Sequence, residues 1–118
     1  TDMTDSIQDL AKALQRFADE RDWGRFHTPK NLASALVVEA GELLEHFQWL
    51  TDEQSRNLPD KDKAAIATEA ADVLIYLIQL CNAMEIDLIA AAQGKIQVNS
   101  EKYPVERSKG TSKKYHQL

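Results

Sequence analysis

Two pairs of acidic residues are the feature of this sequence best suited to chemistry. They lie in the segments Glu39-Ala-Gly-Glu42 and Glu69-Ala-Ala-Asp72, each within a longer apolar stretch of helical periodicity. Spacing of i, i+3 places both carboxylates of a pair on one face of a helix, about 60° apart. Two such pairs on helices that pack face to face would form an oxygen-rich site suited to Mg²⁺.

Each pair taken alone also fits a solvated helix face, where acidic residues at this spacing are common. Both pairs, however, lie beside an apolar stripe rather than opposite it, which favours a half-buried site. Other kinds of site find less support in the sequence. It has no Gly-rich phosphate loop, no Cys/His cluster for zinc and no Glu-x-x-His signature of a di-iron site.

Four helices are needed to position these residues, and the apolar periodicity predicts all four. They run approximately over residues Ser6–Arg21, Lys30–Leu50, Asp60–Met84 and Leu88–Tyr103. Thr28 and Pro29 are predicted as the N-cap and first position of the second helix, and Asp87 as the cap of the fourth. No segment shows convincing strand alternation, so the predicted fold class is all-α.

The third predicted helix is apolar around most of its circumference. Such a helix is buried either within its own chain or between chains. In a domain of this size, we expect a homo-oligomer.

Two further segments leave a structural and a functional interpretation open. Trp23, Phe26 and His27 crowd a short loop, which suits either packing or a stacking surface for a base. Lys95, Asn99 and Tyr103 recur at i, i+4 and i+8 on the fourth helix. That polar stripe is either a solvated face or a set of donors for phosphate or base.

Composition limits the class of protein and its partners. A chain of 118 residues with 43% hydrophobic residues, four Gly and three Pro is predicted to form one globular domain. Residues 105–118 carry a net charge of +3, so the rest carries −8 of the total of −5. This acidic body argues against nucleic-acid binding, which needs a basic surface.

The sequence also indicates a compartment. The single cysteine, Cys81, fits a reducing cytoplasm, and no leader pattern is evident. The longest apolar stretch, Val73–Leu80, is judged too short to span a bilayer, so no membrane partner is expected.

Together, these motifs resemble the MazG-like, all-α nucleoside triphosphate pyrophosphohydrolases. The match is closest to the short single-domain branch that includes dCTP pyrophosphatases, and it covers about residues 7–104. It is carried by ExxE at Glu39–Glu42, ExxD at Glu69–Asp72, Arg21-Asp-Trp23, Phe26-His27, Pro29-Lys-Asn-Leu32, Glu42–Trp49, Asp72–Tyr76 and Lys102-Tyr-Pro104. A second Glu often precedes the first pair in the family; here that position is Val38, which we interpret as a subgroup trait.

The resemblance implies a fold, a reaction and a set of site residues. It implies a four-helix core that assembles as a dimer or tetramer, and hydrolysis of a nucleoside triphosphate to the monophosphate and pyrophosphate. The expected cofactor is Mg²⁺, with Mn²⁺ as a replacement. The implied catalytic and metal-binding residues are Glu39, Glu42, Glu69 and Asp72. The implied substrate-binding residues are Trp23, His27 and Trp49 for base and sugar, and Lys30, Lys95, Asn99 and Tyr103 for nucleotide or phosphate.

We therefore predict a MazG-like helical domain over residues 1–104 and a basic tail over residues 105–118. The predicted substrates are deoxynucleoside triphosphates, with dCTP-like substrates favoured, and the predicted role is house-cleaning of the nucleotide pool. The alternative is a non-catalytic nucleotide-binding or helical interaction module of the same fold. A structural bundle with solvated acidic faces is a third interpretation, which predicts no Mg²⁺ binding.

Overall fold

The computed structural model describes residues 6–114 and 116. These residues contain six α-helices. In chain order they are α1 (Ile7–Glu20), α2 (Pro29–Glu45), α3 (Asp52–Arg56), α4 (Asp60–Ala83), α5 (Leu88–Lys102) and α6 (Val105–Ser108). The described residues contain no strand, and the predicted all-α class is confirmed. Residues 1–5, 115, 117 and 118, which belong to the predicted domain and tail, lie outside the described residues.

The chain divides into two compact units. The first extends to Ile86 and holds α1 to α4, and the second begins at Asp87 and holds α5 and α6. The domain limit predicted at residue 104 stays a prediction.

Side-chain caps start the helices at the predicted places. Thr28 Oγ1 accepts a hydrogen bond from the Asn31 N–H at 3.2 Å, and Pro29 occupies the first turn of α2. Asp87 Oδ1 accepts from the Ala90 N–H at 3.0 Å at the start of α5. Each cap satisfies a backbone donor that has no partner inside the helix.

Helices α1 and α4 both end through a residue with a left-handed backbone. Asp22, with φ of 52°, follows α1, and Glu85, with φ of 54°, follows α4. After α1, the Trp23 N–H donates to the Ala18 carbonyl at 2.9 Å, and the equivalent bond closes α4. This arrangement satisfies free carbonyls at a helix end. In α1 it also fixes the position of Trp23 directly after the helix.

The second helix is shorter than the sequence predicted. It ends at Glu45 rather than Leu50, and the chain continues in turns. Thr51 then caps α3, a short helix that is not among the four predicted ones. Thr51 Oγ1 accepts from the Gln54 N–H at 3.1 Å, while Gln54 Oε1 accepts from the Thr51 N–H at 2.9 Å. This capping box holds Thr51 in an extended conformation and starts α3 as a helix separate from α2.

The core of the first unit lies where α4 packs against α2 and α1. Its buried hydrophobic residues are Ala18, Leu32, Ile78 and Cys81. Of these, only Ile78 and Cys81 belong to α4, so the single chain does not bury the apolar circumference of this helix. Burial between chains, the other possibility raised by the sequence, stays a prediction.

Helix α4 is also long and apolar enough, by length and composition alone, to cross a membrane. The stretch Val73–Leu80, which is short on its own, lies within this continuous helix from Asp60 to Ala83. It nevertheless contains Glu69 and Asp72, and ionised side chains are costly inside a bilayer. Core helices of water-soluble proteins have the same length and composition, so this is weak evidence for a membrane.

Candidate active site

An acidic cluster forms where the middle of α4 faces the second half of α2. Carboxylate oxygens of Glu39, Glu69 and Asp72 lie within 4.8 Å of one another, and all three residues are half-buried. Glu42 is exposed, one turn after Glu39, and its carboxyl interacts with those of Glu39 and Glu69. The structure therefore brings together the four carboxylates that the sequence singled out.

The proximity of these groups changes their pKa values. A hydrogen bond with Glu42 raises the pKa of Glu69 to about 7, and burial and the negative charges of Glu42 and Glu39 act in the same direction. The pKa of Glu39 is raised by its hydrogen bond with Glu42, by burial and by the charges of Glu42 and Asp72. Hydrogen bonds from Glu69 and Glu39 lower the pKa of Glu42. The cluster therefore shares a proton near neutral pH, since like charges this close do not all ionise.

Two oxygen atoms of the cluster show that it fits a cation. Glu39 Oε2 and Glu69 Oε1 are buried and have no hydrogen-bond partner among the described residues. Buried polar atoms without a partner are costly, and a bound cation would satisfy both. An all-oxygen set of carboxylates suits a hard divalent ion such as Mg²⁺ or Mn²⁺.

The aromatic loop between α1 and α2 is partly packed and partly open. The Trp23 ring meets Phe17 edge-on at 5.5 Å between centroids and His27 at 6.1 Å. Trp23 remains 41% exposed. Packing thus fixes the ring in place, while its open part stays available for stacking.

A cavity of about 380 Å³ opens beside this loop, in the size range of small-molecule sites. It is lined by Leu14, Gln15, Ala18, Gly24, His27, Thr28, Pro29, Gln79, Asn82 and Ala83. The sequence analysis identified His27 but missed the three carboxamides, Gln15, Gln79 and Asn82. One signal was present: Gln79 interrupts an apolar run seven residues after Asp72, and so lies on the same helix face two turns later.

The other predicted substrate-binding residues lie on the protein surface or at helix ends. Lys30 is exposed in the first turn of α2, and Trp49 is 86% exposed in the turns that precede α3. Lys95 and Asn99 are exposed on α5, and Tyr103 is the C-cap residue of that helix, within the second unit. The roles of these residues in binding stay predictions.

Known proteins resemble this chain in both sequence and structure. The MazG-like family matches residues 35–118. Mouse dCTP pyrophosphatase 1 is 43% identical over 115 residues, which make up 96% of this chain and 68% of the mouse protein. The human protein of the same name is 40% identical over the same shares. A crystal structure of a pyrophosphatase from Archaeoglobus fulgidus has a TM-score of 0.78 and 39% identity, covering 88% of this chain and 97% of the other.

These similarities define a class of hydrolases whose members release pyrophosphate from nucleoside triphosphates. The chain belongs to the MazG-like family, as its motifs predicted. It is a nucleoside triphosphate pyrophosphohydrolase, and family membership together with the acidic cluster indicates a divalent metal cofactor.

Proposed function

We propose that this enzyme uses Mg²⁺ to hydrolyse deoxynucleoside triphosphates, with dCTP-like substrates preferred, and so clears unwanted nucleotides from the dNTP pool. The convergence of Glu39, Glu69 and Asp72, with two buried oxygens that lack a partner, carries the proposal. The base preference follows the relatives of 40–43% identity, whose name specifies dCTP.

The acidic cluster accounts for both metal binding and proton transfer. Glu39, Glu42, Glu69 and Asp72 would hold Mg²⁺, which supplies positive charge to the triphosphate oxygens and assists attack by water. The shared proton must leave when a cation binds, because ligating carboxylates are ionised. In the reaction, water adds to phosphorus, the bond between the nucleoside monophosphate and pyrophosphate breaks, and a carboxylate at the edge of the cluster accepts the water proton. Glu42 is the exposed member of the four and lies at the edge of the cluster.

The remaining site residues are assigned to substrate binding. Trp23 and Trp49 offer aromatic faces to the base, and stacking of this kind tolerates any base. His27 lines the cavity beside the loop and is assigned to the base and sugar. Lys30, Lys95, Asn99 and Tyr103 are assigned to nucleotide or phosphate contacts.

Exposed apolar side chains support assembly of this chain with further copies of itself. On α2 and just beyond it, Val37, Val38, Leu44 and Trp49 are 71%, 59%, 59% and 86% exposed. An apolar area of this kind on a protomer marks an interaction surface. We therefore propose a homo-oligomer, a dimer or a tetramer. The free, buried Cys81 and the acidic body fit a cytoplasmic enzyme without nucleic-acid or membrane partners.

The decisive experiment is pyrophosphate release from a panel of canonical and modified NTPs and dNTPs, with and without Mg²⁺. We expect release only in the presence of the metal, with the monophosphate as coproduct and dCTP among the best substrates. Release of single phosphate groups, or nucleotide binding without turnover, would overturn the proposal.

A further inference from the structure

The cavity beside the aromatic loop has a polar lining that differs in kind from the acidic cluster. Three carboxamides and His27 face it, together with small and apolar side chains, and none of its lining residues is acidic or a Lys or Arg. A lining of this type suits a flat, neutral, hydrogen-bonding group better than it suits phosphate or a metal ion. A nucleobase is such a group.

The position of the cavity relative to the cluster fits the length of a nucleotide. Gln79 lies seven residues after Asp72 on α4, which is about 10.5 Å along the helix and on the same face. Pro29, which also lines the cavity, precedes Glu39 by ten residues of α2, or about 15 Å. The two helices run in opposite directions past the site, so both place the cavity to the same side of the cluster. A sugar and the first phosphate can bridge this gap when the remaining phosphates lie at the carboxylates.

Protein contacts fix the hydrogen-bonding character of two of the carboxamides. Asn82 Nδ2 donates to the Ala11 carbonyl at 3.1 Å, from α4 across to α1. Gln15 Nε2 donates to Asp19 Oδ1 at 3.0 Å. With each amide nitrogen turned towards a protein acceptor, the oxygen on the opposite branch of each amide is left as the acceptor for a ligand.

We propose that Asn82 and Gln15, assisted by Gln79, select the base of the substrate by accepting hydrogen bonds from an exocyclic amino group. This inference rests on the proposed function and names the residues that determine its specificity. Cytosine carries a donor at ring position 4, where uracil and thymine carry an acceptor oxygen. A protein acceptor oxygen that faces this position accepts a hydrogen bond from the amino group of cytosine. When uracil binds instead, the oxygen has no donor, and this loss discriminates strongly between the two bases.

The test compares dCTP with dUTP, which differ in the groups at positions 3 and 4 of the ring. In Asn82→Leu, we expect the ratio of kcat/KM for dCTP to that for dUTP to fall about tenfold or more, chiefly through loss of dCTP turnover. Gln79→Leu, which breaks no described protein hydrogen bond, should lower the ratio by a smaller factor. Gln8→Leu, an exposed change on α1 away from the cavity, is the matched control and should leave the ratio unchanged.

A structural role for Asn82 predicts a different result, because loss of its bond to Ala11 would lower activity towards both substrates equally. An unchanged ratio in the Asn82 and Gln79 variants would overturn the proposal. If Asn82→Leu does not fold, Gln15→Leu combined with Gln79→Leu provides the same comparison.

Binding of dCMP and dUMP to the unmodified protein, followed by calorimetry, tests the inference without turnover. We expect tighter binding of dCMP, and a loss of that preference in Gln15→Leu/Gln79→Leu. Equal binding of the two monophosphates would refute base selection by the cavity. Because this measurement needs no hydrolysis, it distinguishes failure of the inference from failure of the proposed function.

Discussion

The acidic cluster and the cavity lie at two positions along the packed α2–α4 pair, and their polar groups differ in charge. At one end, four carboxylates crowd together, share a proton and leave two buried oxygens without a partner. At the other end, three neutral carboxamides line a cavity, and two of them, Asn82 and Gln15, already have protein partners. Crowded carboxylates with unpartnered oxygens carry a free-energy cost that a bound cation would offset. Asn82 and Gln15 carry no such cost, because each already has a protein hydrogen bond. In the proposals above, the charged cluster would perform the chemistry and the hydrogen-bonding groups of the cavity would perform the selection of the base.

The largest expected effect comes from the acidic end. Loss of a residue that hydrogen-bonds to a metal ligand costs roughly 10–100-fold in activity. Glu69→Gln and Glu42→Gln each alter a proposed ligand itself, so each should lower metal-dependent pyrophosphate release by more than that. Both variants should keep the helical circular dichroism spectrum. Glu45→Gln, an exposed change on the same helix as Glu42, is the control and should retain full activity. Comparable activity in Glu42→Gln and Glu45→Gln would remove Glu42 from the site.

The aromatic residues sharpen the comparison, because only one of the two tryptophans is packed within the chain. Trp23→Leu and Trp49→Leu should each raise the KM for dCTP about 5–150-fold if a base stacks on the ring, as loss of about 1–3 kcal/mol of stacking predicts. Trp23→Leu should also lower the melting temperature, since its ring contacts Phe17 and His27. In dilute protein, Trp49→Leu should leave the melting temperature unchanged, because its side chain is 86% exposed. An unaltered KM in both variants would exclude stacking.

The pH dependence of stability tests the electrostatic state of the cluster. The folded protein keeps a proton on Glu69 up to about pH 7, whereas the unfolded chain releases it near the ordinary value of 4.5. Stability of the metal-free protein should therefore fall as pH rises from 4.5 to 7 and stay low above it. Glu42, whose pKa is lowered, acts oppositely, but only below about pH 4.5. The measurement is melting temperature from pH 5 to 8 with EDTA or Mg²⁺.

We expect the EDTA curve to fall towards pH 8 and the Mg²⁺ curve to stay level, because the cation replaces the shared proton. Glu69→Gln is the control and should flatten the EDTA curve. Parallel curves with and without the metal would show that the cluster is not a cation site.

The smallest expected effect concerns the turns that bound the cavity end. Glu85 has a left-handed backbone, which side chains other than Gly adopt at a cost. Glu85→Gly should raise the free energy of unfolding by about 0.5–1 kcal/mol, as measured by urea denaturation, without changing kcat. Glu20→Gly, within α1, is the matched control and should lower it by a similar amount. A loss of stability in Glu85→Gly would show that the Glu85 side chain makes a stabilising interaction.

Much of the fold could be predicted because its signals are local. Caps at Thr28 and Asp87 and the apolar periodicity gave the four long helices within a few residues. The end of α2 was missed because apolar residues such as Phe47 and Leu50 continue its pattern into turns. The Thr51–Gln54 capping box marks the start of α3 and not the end of α2 at Glu45.

The candidate site also has a part that could be predicted from the sequence and a part that could not. The acidic pairs could be predicted because each is a local i, i+3 pattern beside an apolar stripe of its helix. The shared position of the three carboxamides could not be predicted, because they lie on two helices and come together only through contacts between residues distant in sequence. Asn82 and Ala11, for example, are 71 residues apart.

Helix α1 forms one wall of the cavity, through Leu14, Gln15 and Ala18. α1 buries one residue of its own, Ala18, and the Asn82–Ala11 hydrogen bond ties it to α4. Amide protons of α1 should therefore exchange with deuterium sooner than those in the facing parts of α2 and α4. Release of α1 would open the cavity proposed for the base while the carboxylates keep their places, so a monophosphate product would depart without disturbing the proposed metal site.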